Sequence, residues 1–215
     1  MVTWYIYGAS GLGVETLDIL IQMNAATGRQ DIQPVFLDDA PPSDKVAGHP
    51  VIALDDAEPG SLVSIAIGEP EIRHKLRKST LEAGLKLSSI ISPSAFVSQL
   101  ADIGDGAIIA PFCSVQAHAR IGDNVAVNTA AIVGHDVVVG TDTTLSSMVN
   151  LGGATQVGSR AYIGMGALVK EGLSIGHSTI VGMGSVVYTD VPDEVICVGN
   201  PARVSRRNTD KRVFK

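Results

Sequence analysis

From Ile91 onward every sixth residue is aliphatic: Ile91, Val97, Ile103, Ile109, Val115, Ile121, Val127, Val133, Val139, Leu145, Leu151, Val157, Ile163, Val169, Ile175, Val181 and Val187, seventeen in a row with no insertion. The next residue is often glycine, as at 104, 122, 134, 140, 152, 158, 164, 176 and 182, and the fifth of each hexad is usually small, as at Ala107, Cys113, Ala119, Ala131, Ala161 and Ala167. Helices repeat near 3.6 residues and strands at 2, so a strict six fits neither. Self-similarity of this kind marks a solenoid. The pattern predicts a triangular coil. Each hexad forms one flat side, its aliphatic side chain points inward and stacks on the next coil, and glycine or a small residue serves the corner, where backbone approaches closely or takes positive φ.

The first ninety residues alternate differently. Residues 4–7 read as a buried strand, followed by the turn Gly8-Ala9-Ser10-Gly11-Leu12-Gly13. A helix over 14–23 follows, with Leu17, Leu20 and Ile21 on one face. Strands are expected over 34–37, ending in Asp38-Asp39 and a Pro41-Pro42 loop, and over 62–67; a second helix runs over 69–83 and stops at Gly84. Alternating strands and helices predict a parallel sheet. The chain therefore divides near residue 90, into an α/β Rossmann-like βαβαβ domain over 1–90 and a β-helix with a C-terminal tail over 91–215.

Aromatic residues are only 4% of the chain, so Val, Ile, Leu and Ala must fill its interior. Net charge is −6 with the basic residues scattered, which argues against a nucleic-acid partner. The basic exception is the tail, Arg203, Arg206, Arg207, Lys211, Arg212 and Lys215, most of which reads as a solvated terminus. Cys113 and Cys197 form neither a disulfide framework nor a metal spacing. No apolar stretch is long enough to span a bilayer, and the N-terminus lacks the pattern of a secretory signal. A cytoplasmic protein without a membrane span is the expectation.

Two clusters have residue types suited to chemistry. Gly8, Ser10, Gly11 and Gly13 stand between a strand and a helix, where free N–H groups can receive a phosphate; close packing alone also explains glycines there. About ninety residues make only half of a dinucleotide fold, so a mononucleotide or nucleotide sugar fits better than a redox cofactor. Asp38 and Asp39, at the end of the second strand, sit where such a unit meets its nucleoside, or simply open a polar turn. His135-Asp136 falls near a coil corner. A histidine there is either a solvated corner residue or a general base oriented by its acidic neighbour.

The repeat resembles that of the hexapeptide-repeat acyltransferases. The glycine turn, the repeat and Gly199-Asn200-Pro201-Ala202-Arg203 together resemble the nucleotide-sugar N-acetyltransferases of the sialic acid O-acetyltransferase (NeuD/PglD-like) group. The resemblance implies a left-handed β-helix of three hexads per coil, five to six coils over 91–187, and a homotrimer. It implies acetyl transfer from acetyl-CoA to the amino group of a nucleotide-linked 4-amino-4,6-dideoxy sugar in surface-glycan synthesis. His135 becomes the expected base with Asp136 as its partner, acting at the seam between two subunits. Gly8, Ser10, Gly11, Gly13, Asp38, Asp39 and Asn128 are expected to bind the nucleotide sugar, and Thr144, Gly152, Gly153, Gly164, Gly182 and Arg203 the acetyl-CoA. No metal is expected. Leu12 stands where relatives often carry a histidine in the glycine loop, so a polar contact to the sugar phosphate is absent or supplied elsewhere; Thr144 stands where several carry a second histidine, so a two-histidine mechanism is excluded there. Alternatives are O-acetylation of a sialic acid or other sugar hydroxyl, a zinc hydratase using His118, His135 and His177, and a non-catalytic nucleotide-sugar-binding trimer.

Overall fold

The computed structural model describes residues 1–41 and 43–214; Pro42 of the Pro-Pro loop and Lys215 of the tail lie outside the described residues. The chain opens with β1 (Val2–Tyr7), α1 (Gly11–Thr27), β2 (Ile32–Leu37), β3 (Lys45–Val46), β4 (His49–Ile52), β5 (Leu62–Ile65), α2 (Pro70–Glu82) and β6 (Lys86–Leu87). These strands form one sheet in the order β3-β4-β2-β1-β5-β6. β4, β2, β1, β5 and β6 run parallel, and β3 turns back on β4 as a hairpin. The second helix falls within its expected range, whereas the first extends beyond its own at both ends. α1 continues through Asn24-Ala25-Ala26 to Thr27, where Gly28, at φ 70°, closes it in the left-handed conformation that glycine adopts without a Cβ penalty. The β3–β4 hairpin, a 3-10 turn at Leu54–Asp56 and β6 had no counterpart in the periodic reading. Each is too short to display a period.

From Ile90–Ile91 to Val186–Val187 the chain is a series of two-residue strands that stack in parallel on three faces, six, six and five to a face; the first face becomes an eight-stranded sheet when two C-terminal strands join it. Ile109 pairs with Ile91 below and Val127 above, an offset of three hexads per coil. The aliphatic positions and the fifth positions both point inward, so Val133, Leu145, Leu151 and Ile163 stack with Ala107, Ala119, Ala131 and Ala161 in one dry column. The architecture is an α/β Rossmann-like domain followed by a left-handed parallel β-helix.

The corners divide two tasks that the sequence pattern leaves merged. Positive φ falls on the fourth residue of the hexad, and non-glycine residues mostly hold it: Phe112, His118, Asn124, Ala130, Asp136, Asp142, Met148, Ala154 and Arg160. The glycines of the second position instead allow coils to touch. A Cβ on Gly134 would lie 2.7 Å from the Leu151 carbonyl oxygen and 2.8 Å from the Gly153 nitrogen.

Both helices rest on the coils. Leu17, Ile19 and Leu20 of α1 share a core with Ile90 and Ile108. α2 is held by a buried polar cluster. Arg73, 0% exposed, donates to the carbonyls of Ile65, Ile67 and Asn124 and to the Asn124 side chain. Asp142 accepts from Asn124 at 2.8 Å, His74 at 2.8 Å and Arg77 at 2.9 Å. Burial alone would raise the Asp142 carboxyl; hydrogen bonds from Arg77, Asn124 and His74 outweigh it and hold the group below its ordinary value. Burial pulls the Arg73 guanidinium down to about 10, opposed by Asp142, and it stays charged at neutral pH.

After the last coil, strands Val195–Gly199 and Ala202–Arg207 form an antiparallel hairpin on the eight-stranded sheet. Arg203, Arg206, Arg207 and Arg212 are exposed, as expected of a solvated tail, but the segment beyond the hairpin is also anchored. Asn208 is buried, donating its side-chain N–H to the Ser178 carbonyl and its backbone N–H to that of Glu194.

Candidate active site

The glycine turn caps β1 and starts α1. Gly8 takes φ 113°, and a Cβ there would lie 2.8 Å from the Ala66 carbonyl oxygen. A Cβ on Gly13 would overlap the Gly8 carbonyl, so the third glycine lets the helix approach the strand. Ser10 occupies the N-cap of α1 but makes no side-chain cap hydrogen bond, and the first turn holds no acidic residue. The N–H groups of Gly11, Leu12 and Gly13 thus have no hydrogen-bond acceptor among the described residues, which leaves them open to a phosphate.

Asp38 and Asp39 lie beside this turn at the end of β2. Asp38 accepts the Ala9 N–H at 3.0 Å and the Ala40 N–H at 3.0 Å. Asp39 accepts the Tyr7 hydroxyl and the Leu54 N–H. Tyr7 is buried, and that burial with the hydrogen bond to Asp39 and its charge pushes the phenol well above its ordinary value, so it stays a donor. The acidic pair is therefore braced by backbone and by Tyr7, a residue the sequence reading saw only as strand core.

Asn128 follows strand Ala126–Val127 of the eight-stranded sheet and precedes strand Ile132–Val133 of the six-stranded one. With Thr129, Ile108 and Pro111 it faces Leu12, Glu15 and Ile19 across a cavity of about 180 Å³. That cavity lies between the first turns of α1 and the coil surface.

His135 sits one corner further on, between strands Ile132–Val133 and Val138–Val139. Its Nδ1 lies 2.7 Å from the Asp136 carboxylate, and its side chain is 65% exposed. A carboxylate on Nδ1 favours the tautomer with the proton there, which leaves a lone pair on Nε2. The ring lies over Gly153, one coil up: a Cβ on Gly153 would be 2.5 Å from Nε2 and 2.6 Å from Cε1. His135 also fixes its own backbone, its carbonyl accepting the Ala154 N–H at 2.8 Å. Asp136, at φ 59°, faces a shallow open groove with His118, Arg120 and Asp102.

The remaining expected residues spread out. Gly152, Gly164 and Gly182 each allow close approach of the following chain: a Cβ would lie 2.5 Å from Glu171 N, 2.6 Å from Met183 N and 2.6 Å from the Val198 side chain respectively. Arg203 is exposed on the terminal hairpin, donating to the Ala202 carbonyl. Thr144 does not join this group. It lies on the eight-stranded sheet, is 1% exposed, and its hydroxyl has no partner among the described residues, so in the single chain it is covered and unable to meet a ligand on the coil surface. His177 accepts the Ser159 N–H through Nδ1 at a different corner from His135. No group of three His, Cys, Asp or Glu among the described residues is arranged to hold a metal ion.

The PglD N-terminal domain family matches residues 4–80. The GDP-perosamine N-acetyltransferase of Escherichia coli O157:H7 is 34% identical over 213 residues, covering 94% of this chain and 96% of that protein. PerB from Caulobacter crescentus, solved with CoA and GDP-perosamine, superposes with a TM-score of 0.83 at 31% identity, over 95% of this chain and 98% of that one. The acetyltransferase domain of PglB from Neisseria gonorrhoeae, solved with acetyl coenzyme A, gives 0.86 at 32% identity over 94% and 98% of the two chains. With near-complete coverage in both directions, the chain belongs to the PglD-like family of hexapeptide-repeat nucleotide-sugar N-acetyltransferases.

Proposed function

We propose that this protein transfers an acetyl group from acetyl-CoA to the amino group of a nucleotide-linked 4-amino-4,6-dideoxy sugar. The observation that carries this reading is the exposed His135–Asp136 pair, its ring seated over Gly153 and its Nδ1 bonded to Asp136, in a chain whose relative PerB was solved with CoA and GDP-perosamine. Residues 1–90 would hold the nucleotide and residues 91–215 the acetyl donor.

The diphosphate meets the open N-terminus of α1 at Gly8, Ser10, Gly11 and Gly13. Asp38 and Asp39 meet the nucleoside, and the sugar extends past Leu12 toward Asn128. The neutral amine then attacks the thioester carbonyl carbon. Its proton passes to His135 Nε2, and Asp136 stabilises the imidazolium that forms. A backbone N–H at the coil corner steadies the oxyanion. The tetrahedral intermediate collapses by breaking the C–S bond; the CoA thiolate leaves and takes up the proton, and the amide remains on the sugar. The pantetheine arm follows bare backbone at Gly152, Gly153, Gly164 and Gly182, with Arg203 toward the CoA phosphates.

Asn128 and His135 lie at opposite edges of the six-stranded sheet, so one chain does not bring its sugar cavity to its own base. A homotrimer, with His135 of one copy meeting the cavity of the next, resolves this. It would also cover the exposed apolar residues Phe112, Met148, Met165 and Met183 along the edge nearest Asn128 and Phe96 and Leu168 on the same sheet. No helix among the described residues is long and apolar enough to cross a membrane; we place the enzyme in the cytoplasm, making precursors for surface glycans. CoA release with UDP-, GDP- and dTDP-linked 4-amino sugars tests the reading. Turnover of an amino sugar supports it, and equal turnover of the matching 4-hydroxyl sugar would replace it with O-acetylation.

A further inference from the structure

The tail is the part of the sequence that the proposed chemistry leaves unused. Val213 donates its N–H to the Glu69 carboxylate at 2.9 Å and Phe214 does so at 3.1 Å. Glu69 is 5% exposed and forms no ion pair among the described residues. A buried carboxylate without a cation is costly unless hydrogen bonds replace water, and the tail backbone supplies them. The Phe214 ring meets Tyr162 edge-on with centroids 5.6 Å apart, and it lies 3.4 Å from where Gly68 would carry a Cβ. Upstream, Asn208 is tied to Ser178 and Glu194, and Lys211 pairs with Glu194 at 3.1 Å. The segment 208–214 is thus fastened to the last coils at one end and to the turn after β5 at the other.

That turn walls the crevice at the carboxyl ends of β1 and β5, where nucleotides bind in open α/β sheets. It touches the glycine turn directly, since the Ala66 carbonyl and the Ile67 side chain occupy the space a Gly8 Cβ would need. We infer that the strap 208–214, acting through Glu69, is a positioning element for the nucleotide: it holds the 66–69 turn against Gly8 so that the phosphates meet a preformed loop. Glu69 and Phe214 are positioning residues that act through this turn. The inference rests on the nucleotide-sugar reading above and adds to it a role for the basic tail.

The test uses the full chain carrying Glu69→Ala, Glu69→Gln or Phe214→Ala, and a chain ended after Arg207. Affinities for GDP, UDP, dTDP and CoA are measured by calorimetry, with amide exchange over 66–69 and 208–214 alongside. Glu69→Ala and the shortened chain should weaken binding of the nucleotide that the wild type prefers by roughly tenfold, the scale of losing hydrogen bonds to a charged group. Glu69→Gln, which keeps one acceptor oxygen, should fall between, CoA affinity should stay within twofold, and exchange at Ala66, whose N–H donates to the Tyr7 carbonyl, should quicken. Wild-type nucleotide affinity in variants whose exchange shows a released tail overturns the inference, as does a parallel loss of CoA affinity. Phe214→Ala keeps the test decisive if the Glu69 variants misfold, because its ring is half exposed. A wild type that binds none of the three nucleotides refutes the nucleotide reading itself, and with it this role.

Discussion

Gly153→Ala is the most discriminating single change near the candidate base. The new Cβ would lie 2.5 Å from His135 Nε2 and 2.6 Å from Cε1. Ordinary contact between such atoms begins near 3.5 Å, so the ring must move by about 1 Å. The backbone of Gly153 is not in the left-handed region, so alanine brings no conformational strain of its own. The obstacle is a side chain that is 65% exposed and free to swing outward. The fold should therefore survive while the imidazole leaves its seat and its 2.7 Å bond to Asp136. Displacing a base by about 1 Å costs on the order of 10²-fold in rate. Steady-state CoA release should show kcat down by about that factor, with a melting temperature within a few degrees of wild type. Gly152→Ala is the contrasting control: its Cβ would strike backbone, 2.5 Å from Glu171 N, and should lower the melting temperature instead. A Gly153→Ala enzyme with wild-type kcat would refute the seating of His135 on Gly153 as a catalytic requirement.

Three further outcomes are expected. His135→Ala should lower kcat by about 10²–10⁴-fold, the usual range for a general base, with acetyl-CoA affinity unchanged by calorimetry; Asp136→Asn should lower it less. Asp142→Ala removes the acceptor shared by Asn124, His74 and Arg77 and should cost about 3 kcal/mol in urea denaturation, the scale of a broken buried pair. Because the Asp142 carboxyl is held below its ordinary value of 3.8, its stabilisation is complete above that pH and drains away as pH falls through the depressed folded value; the wild type should thus lose more stability below pH 4 than Asp142→Asn does. Gly134→Ala should destabilise the coil by about 1–3 kcal/mol, since the Leu151 carbonyl it would meet is backbone and has little room to yield.

The repeat was legible because each coil repeats the same constraint: one inward aliphatic per hexad, stacked with registers such as Ile109–Val127–Leu145. Seventeen copies of a rule override any local ambiguity. The βα pattern of the first domain was legible for the same reason, through strands and helices long enough to show a period. The corner glycines show the limit of pattern reading. Their recurrence marks corners, but only the backbone reveals that Gly134 permits contact while Asp136, two residues on, takes the positive φ.

What the pattern could not reveal depends on single residues meeting partners far along the chain. Arg73 and Asn124, His74 and Asp142, and Glu69 and Val213 belong to no repeat, and nothing local distinguishes them from solvated charges on a helix or tail. A mid-helix arginine that is wholly buried is visible only once α2 lies on the coils. Thr144 shows the reverse case: the family resemblance implied a place at the acetyl-CoA site, whereas in the single chain its side chain is buried.

The central claim is that an amine on a nucleotide-linked sugar is the acceptor and His135 the base. CoA release with acetyl-CoA and paired GDP-linked 4-amino and 4-hydroxyl 6-deoxy sugars, extended to the UDP and dTDP pairs, tests it most directly. The account predicts fast release with one amino sugar, none with its hydroxyl partner, and loss of that release in His135→Ala. No release with any amino sugar, or undiminished release in His135→Ala, would contradict it.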